Sequence, residues 1–312
     1  MYVLIFGSMK AQIRLNWPAQ VAVLLGVAGV CMILGAFGMQ ALASAMDVRI
    51  ENGSIGGTGR QLGILNSIGS FLIVCLPALI FAMVVSNKPM QHLGFNGVIG
   101  SRQILLVLFI SAAAVALSGA LAEVMEYIQL PASFKKMADA MEESYKREVL
   151  KIATIKNVGD YLFALLVIAL LPALFEEILF RGAVQQTAVG LTRNVFAGIL
   201  ITSILFSAIH FSVMGFLSRT ALGLLLGFVF YYSKNLWLSI LMHFINNAFV
   251  ITALFVAQQK GRKIEDAIDE SMPVWFGLIA LAAIVWLMMN FRKASDEVQT
   301  AYQHDTQETL LG

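Results

Sequence analysis

Charge is what this sequence has least of. Asp, Glu, Lys and Arg make up only 13% of its 312 residues, against roughly 25% in an ordinary soluble domain. That is too little to cover the surface of the two or three soluble domains that the length would otherwise allow. The 21 basic and 19 acidic residues leave a formal net charge of +2. The basic residues are scattered, so no nucleic-acid partner is expected. Cysteine is nearly absent: Cys31 and Cys75 both lie in apolar runs, which excludes a disulfide framework and a cysteine-based metal site. No Gly-Lys-Ser/Thr follows the glycine-rich stretch at 52–60, and no strand pattern precedes it, so that stretch reads as a loop rather than a phosphate cradle. What the chain does have is apolar residues, 59% of the total.

These residues fall in runs long enough to cross about 30 Å of hydrocarbon, which takes about 20 residues. Eight segments qualify: 18–45, 64–86, 103–125, 158–181, 195–214, 217–233, 235–257 and 273–291. They lack the alternation of a membrane barrel, and backbone groups in hydrocarbon must bond within their own segment. The expected fold is therefore all-α, a polytopic membrane helix bundle of about eight transmembrane helices. At the N-terminus, MYVLIFGSMK places its apolar stretch before its first basic residue. That order reverses a secretion signal, so the chain is expected to be inserted whole. The expected protein is a multi-pass integral protein of the cell (inner) membrane, with the lipid bilayer as its surroundings. Counting basic residues in the connections gives only a weak vote for termini on the cytoplasmic side.

Three regions follow from this pattern. Residues 1–157 hold three spans and a charged connector, residues 158–291 hold five spans, and residues 292–312 form a polar tail expected to be disordered. In the connector, Phe134, Met137, Met141 and Tyr145 repeat at helical spacing, with charged residues on the other faces. This fits an amphipathic helix on the membrane surface or over the mouth of the bundle, or a solvated connector.

A charge at membrane depth costs about 2.5–3.5 kcal/mol or more, so each one asks for a reason. The exceptions collect on three spans. LPALFEEILFRG carries Glu176, Glu177 and Arg181; LFSAIHF carries Phe206 and His210; LMHFINNAF carries His243, Asn246 and Asn247. Glu177 and Arg181 stand four apart, acid first, the favourable order for a helical ion pair. That pairing leaves Glu176, rotated about 100° around the helix, to face something else. His243 and Asn247 share a face, as do Phe206 and His210. Pro172 should bend its helix beside the acids. Singly, each residue has a plainer reading: a histidine bonded to a neighbouring backbone, a structural ion pair, or, for Gly223 and Gly227, close helix packing. Together, in spans otherwise nearly free of charge, they suggest one site within the bilayer. The depth arithmetic puts Glu176 about 10 Å from the end of its span near Ala183, and the site is expected to open on the side of the termini.

At these residues the sequence resembles the CAAX protease and bacteriocin-processing family of intramembrane proteases, which includes the type II CAAX prenyl endopeptidases. The resemblance rests on Glu-Glu-x-x-x-Arg at Glu176, Glu177 and Arg181, Phe-x-x-x-His at Phe206 and His210, and His-x-x-x-Asn at His243 and Asn247. It covers about 160–250 and implies an intramembrane endopeptidase acting on a protein or peptide. It further implies that Glu176 activates water with help from His210, while His243 and Asn247 supply donors to the oxyanion. Glu176, His210 and His243 would also make a three-ligand zinc set with an open position, although no His-Glu-x-x-His helix is present. Zinc and a metal-free glutamate route both stay open. The rival readings are a proton- or metal-ion-coupled transporter and a catalytically silent membrane scaffold. Against the transporter, residues 18–125 and 158–291 show no internal repeat.

Overall fold

Every long apolar run is helical in the computed structural model, which describes residues 15–48, 50–51, 54–95, 98–152, 154–262 and 272–311. The uncleaved N-terminal stretch expected at residues 1–10 lies outside the described residues. In chain order the helices are α1 (Trp17–Ala45), α2 (Gly59–Val85), the short α3 (Pro89–His92), α4 (Ser101–Glu126), α5 (Ala132–Ile152), α6 (Val158–Thr192), α7 (Val195–Ala208), α8 (Phe216–Ser233), α9 (Leu236–Gln259) and α10 (Val274–Leu311). The glycine-rich stretch adds a two-residue antiparallel pair, β1 (Ile50–Glu51) with β2 (Ser54–Ile55). Thr58 then caps α2, accepting from the Gln61 amide. The protein is a multi-pass integral membrane protein of the all-α class.

Among the described residues, seven helices are long and apolar enough to cross a membrane. The expected fifth pass is shorter: α7 has 14 residues, about 21 Å of rise. Apolar composition continues past its end, but the backbone does not. Phe211 takes a left-handed φ of 50°, a conformation no helix interior tolerates, and α8 starts only at Phe216.

Among the described residues, eight helices nonetheless run between the two ends of the bundle. At one end Trp17 packs on Gly190, which leaves no room for a Cβ against the indole. Asn235 Nδ2 donates to the Val98 carbonyl, and Arg102 pairs with Glu297. The start of α1, the ends of α6 and α8 and the far part of α10 therefore share this end. Two matching corners shape it: Arg193 and Lys234 sit at φ 55° and 54°, and Asn194 and Asn235 then cap α7 and α9. At the other end lie α5, the turn between α7 and α8, the end of α9 and the start of α10.

Two prolines stand inside long helices, and each follows a π-helical turn. Phe71–Cys75 precedes Pro77, and Leu165–Leu170 precedes Pro172. A π turn widens the ladder where proline cannot donate, so the helix continues through Pro172. A third π turn, Phe180–Gln185, follows the two acids. Because α6 runs on to Thr192, Glu176 lies about 24 Å from that end rather than about 10 Å.

The tail also differs from expectation, being helical to Leu311. Its first turns are held by packing that composition does not reveal: Gln103 Nε2 donates to Ser295 Oγ, which is fully buried, and Gln299 Nε2 donates to the Tyr232 carbonyl. The connector is one amphipathic helix, α5, with Phe134 and Met137 exposed and Ala138 buried.

Candidate active site

α6 enters the site through two adjacent acids in different surroundings. Glu177 is fully buried, and its Oε1 accepts from Arg181 Nη1 at 2.8 Å and from His243 Nδ1 at 2.9 Å. Arg181 is itself fully buried. Its Nη2 donates to the Gly223 carbonyl at 3.1 Å, and its guanidinium lies 5.0 Å from the centroid of the Phe206 ring. The pair is thus a fixed internal support, joined to α8 and α9 as well as to its own helix.

Gly223 and Gly227 make this support reachable. A Cβ on Gly223 would stand 2.9 Å from Ser203 Cβ, and one on Gly227 would stand 2.6 Å from Ile199 Cγ2. Only glycine lets α7 and α8 approach so closely. Both carbonyls are then used: Gly223 accepts from Arg181, and Gly227 accepts from Gln185 Nε2 at 3.0 Å. Gln185 is not among the residues expected from sequence. Its signal there is its place four residues after Arg181, extending the polar stripe of Glu177 and Arg181 by one turn.

Glu176 faces the opposite partners. Its Oε2 lies 4.0 Å from His210 Nε2 and 3.9 Å from His243 Nε2, beyond hydrogen-bonding range, and is buried without a partner. His210 does not sit on a helix, as its spacing from Phe206 suggests. It lies in the turn beyond α7, with Nδ1 2.8 Å from the Phe206 carbonyl. Phe206 is the hub of the packing: its ring meets His210 at 5.1 Å, His243 at 5.7 Å and Phe180 at 5.3 Å, all edge-on.

Proton positions follow from the partners. A carbonyl cannot donate, so His210 Nδ1 carries the proton that bonds Phe206. Glu177, accepting from Arg181, is ionised, so His243 Nδ1 carries the proton between them. In the neutral form of each ring, Nε2 is then a bare acceptor. Two such nitrogens and one carboxylate oxygen converge with no donor among them. Such a point calls for a proton, the hydrogens of a water, or a cation.

Five of the six residues expected at the site, Glu176, Glu177, Arg181, His210 and His243, are therefore joined by direct contacts or by the two edges near 4 Å. Asn247 is half-buried one turn beyond His243 and makes no hydrogen bond among the described residues. Asn246 is turned away, donating to the Met242 carbonyl at 2.9 Å. The zinc set of Glu176, His210 and His243 has suitable donor chemistry but not the spacing. Tetrahedral ligands at about 2.0–2.1 Å stand about 3.4 Å apart, less than either of the two edges. Among the described residues no three His, Cys, Asp or Glu side chains are arranged to hold a metal ion.

The site turn and α5 share the bundle end opposite Trp17 and the 292–299 segment. The opening expected on the side of the termini is therefore not where the His210 turn lies.

Comparison with known proteins agrees with the residues. Residues 158–249, the stretch from α6 into α9 that holds all six, match the family model described as Type II CAAX prenyl endopeptidase Rce1-like. The chain is also similar to "Putative membrane peptidase YdiL" of Bacillus subtilis (strain 168), with 31% identity over 87 residues. That stretch is 28% of this chain and 35% of the Bacillus protein, so the chain spans about a third of the relative's length. No solved structure matches the chain.

Proposed function

We propose that this protein is an intramembrane endopeptidase of the CAAX-protease kind, hydrolysing a peptide bond near the C-terminus or in the membrane-proximal part of a protein or peptide. The observation that carries the reading is the convergence of three acceptors, Glu176 Oε2, His210 Nε2 and His243 Nε2, beside a second carboxylate already neutralised by Arg181. A water resting among those three atoms gives one hydrogen to Glu176 Oε2, shares the other between the two histidine nitrogens and turns a lone pair to the substrate carbonyl.

Glu176 is the base. As the water oxygen bonds to the carbonyl carbon, its proton passes to Glu176 Oε2 and the carbonyl electron pair moves to oxygen. Collapse of the tetrahedral intermediate breaks the C–N bond, and Glu176 returns the proton to the leaving nitrogen. His210 orients the water. The second hydrogen of the water, once its oxygen is bonded to carbon, passes to His243 Nε2, where Glu177 on the other nitrogen stabilises the charge; His243 then donates to the oxyanion and returns this proton to the product carboxylate on collapse. Asn247 Nδ2 is the second donor. Glu177 and Arg181 hold His243 and keep the paired charges fixed.

A transporter needs the same polar groups to face two openings in turn. The fully buried Glu177–Arg181 pair, tied to two further helices, favours a fixed site instead. Zinc held by Glu176, His210 and His243 is the other way to activate water, and it requires the three to close together. The deciding experiment uses detergent-purified protein and an internally quenched prenylated peptide with a C-terminal CAAX sequence, with and without chelator. Glu176→Gln should fold and lose turnover by several orders of magnitude, with chelator leaving the wild type unaffected. Near-wild-type turnover in Glu176→Gln would falsify the assignment, and loss of wild-type activity on chelation that added zinc restores would replace the metal-free route.

A further inference from the structure

His210 is the one site residue not carried by a helix, and something must hold its turn. Phe211, next in sequence, is 66% exposed with φ 50°, a left-handed conformation strained for a bulky residue. Such a turn persists only when its surroundings fix it. On one flank Ser207 Oγ donates to the Phe216 carbonyl, at 2.7 Å. In the middle stands Ser212, two residues after His210 and buried. Its Oγ accepts from the Gly215 amide at 3.2 Å and donates to Glu142 Oε2 at 2.8 Å. Glu142 belongs to α5, the amphipathic helix 70 residues away in sequence. A carboxylate accepting from a hydroxyl makes a strong, short bond of this kind, and it ties α5 to the His210 turn.

We infer that Glu142 and Ser212 are positioning residues, a latch through which α5 holds the His210 turn so that Nε2 faces Glu176. The inference rests on the endopeptidase reading for its consequence in catalysis, while the latch itself stands on the contacts of the turn. The amphipathic helix thereby does more than connect two spans. With Phe134 and Met137 exposed on one side and Glu142 engaged on another, α5 lies at the mouth of the site and orders its least supported residue. Neither Glu142 nor Ser212 touches substrate. Both act through the place of His210.

The test reads His210 directly. Full-length protein in detergent is treated with diethylpyrocarbonate, and modification of His210 is followed by mass spectrometry, alongside kcat and KM on the quenched prenylated peptide. Glu142→Ala and Ser212→Ala should each raise the His210 modification rate several-fold and lower kcat at least tenfold with little change in KM. Glu142→Gln, whose amide oxygen still accepts from Ser212, should keep modification near the wild-type rate and restore most of kcat. Arg147→Ala, on the same helix but paired with Glu143, serves as control and should leave modification unchanged. Unchanged His210 modification in both alanine variants overturns the latch, whatever happens to activity. A wild type inactive on the peptide, with modification still rising in the alanine variants, overturns the endopeptidase reading and leaves the latch standing.

Discussion

Replacing Arg181 by alanine separates a support from a catalytic group. The guanidinium is fully buried and balances a fully buried Glu177. Its removal leaves an ionised carboxylate with only His243 Nδ1 for a partner and takes the side-chain donor from the Gly223 carbonyl. Breaking a buried pair on one side costs about 3–5 kcal/mol. At about 2 °C per kcal/mol, the value for larger chains, Tm should fall by roughly 6–10 °C. Activity should fall with it, because Glu177 holds the tautomer of His243. The sharper arm is the double variant Glu177→Gln with Arg181→Met. Removing both charges takes away the orphaned carboxylate, so much of Tm should return, whereas activity should not, since a glutamine cannot stabilise a protonated His243. Thermal melting in detergent and turnover on the same samples give both readouts. If Arg181→Ala kept the wild-type Tm while losing activity, the support reading would be wrong and Arg181 would belong to the chemistry, for instance as the group that holds a substrate carboxylate.

Further outcomes are expected elsewhere in the bundle. Gly223→Val should lower thermal stability by about 1–3 kcal/mol through overpacking against Ser203; an unchanged melting curve would mean that α7 and α8 do not approach as closely as the contacts say. Gln103→Leu leaves buried Ser295 unpaired and should cost about 1–3 kcal/mol, whereas no change in melting would show that the start of the polar tail is not packed. Lys234 lies at the corner between α8 and α9, where burial pushes its ammonium down to about 8 against an ordinary 10.5. Between those values the unfolded chain binds the proton that the folded one has lost, so stability should rise as pH rises from about 8 to 10.5. Lys234→Met should flatten that rise in melting temperature, and an unaltered slope would place the effect on another group.

Hydropathy alone located the helices, because hydrocarbon leaves the backbone no other arrangement. It placed the ends poorly. Nothing in the composition of Ile209–Met214 marks the stop of α7, which is set by the left-handed Phe211. Likewise nothing in the tail's polar composition shows that Ser295 and Gln299 find partners on α4 and α8. Within the site, what spacing could reveal was the contact inside one helix, Glu177 with Arg181. The meeting of α6 with α9, His243 with Glu177, was legible only as a coincidence of rare polar residues on apolar spans. The bond from Glu142 to Ser212 left no trace in the sequence, since it joins a surface helix to a turn through two residue types common in both.

The two neighbouring glutamates show why position in a motif does not assign a role. Rotation by about 100° around the helix sends Glu177 toward two donors and Glu176 toward two acceptors. A carboxylate that accepts from a guanidinium and an imidazole is at rest, because moving a proton onto it would break both bonds. One that faces two nitrogens and accepts from neither has Oε2 open to a hydrogen from water. In the proposed mechanism the same buried bundle makes one acid a fixed charge and its neighbour the base, and the difference comes from Arg181 one turn on, His243 on α9 and His210 in the turn beyond α7. It follows that exchanging the partners should exchange the consequences. With His243→Leu, Glu177 keeps Arg181 and stability should suffer less than in Arg181→Ala, while Glu176 loses one of its two facing nitrogens and turnover should fall at least a hundredfold. Equal losses of Tm in the two variants would show that His243 is as much a part of the support as Arg181.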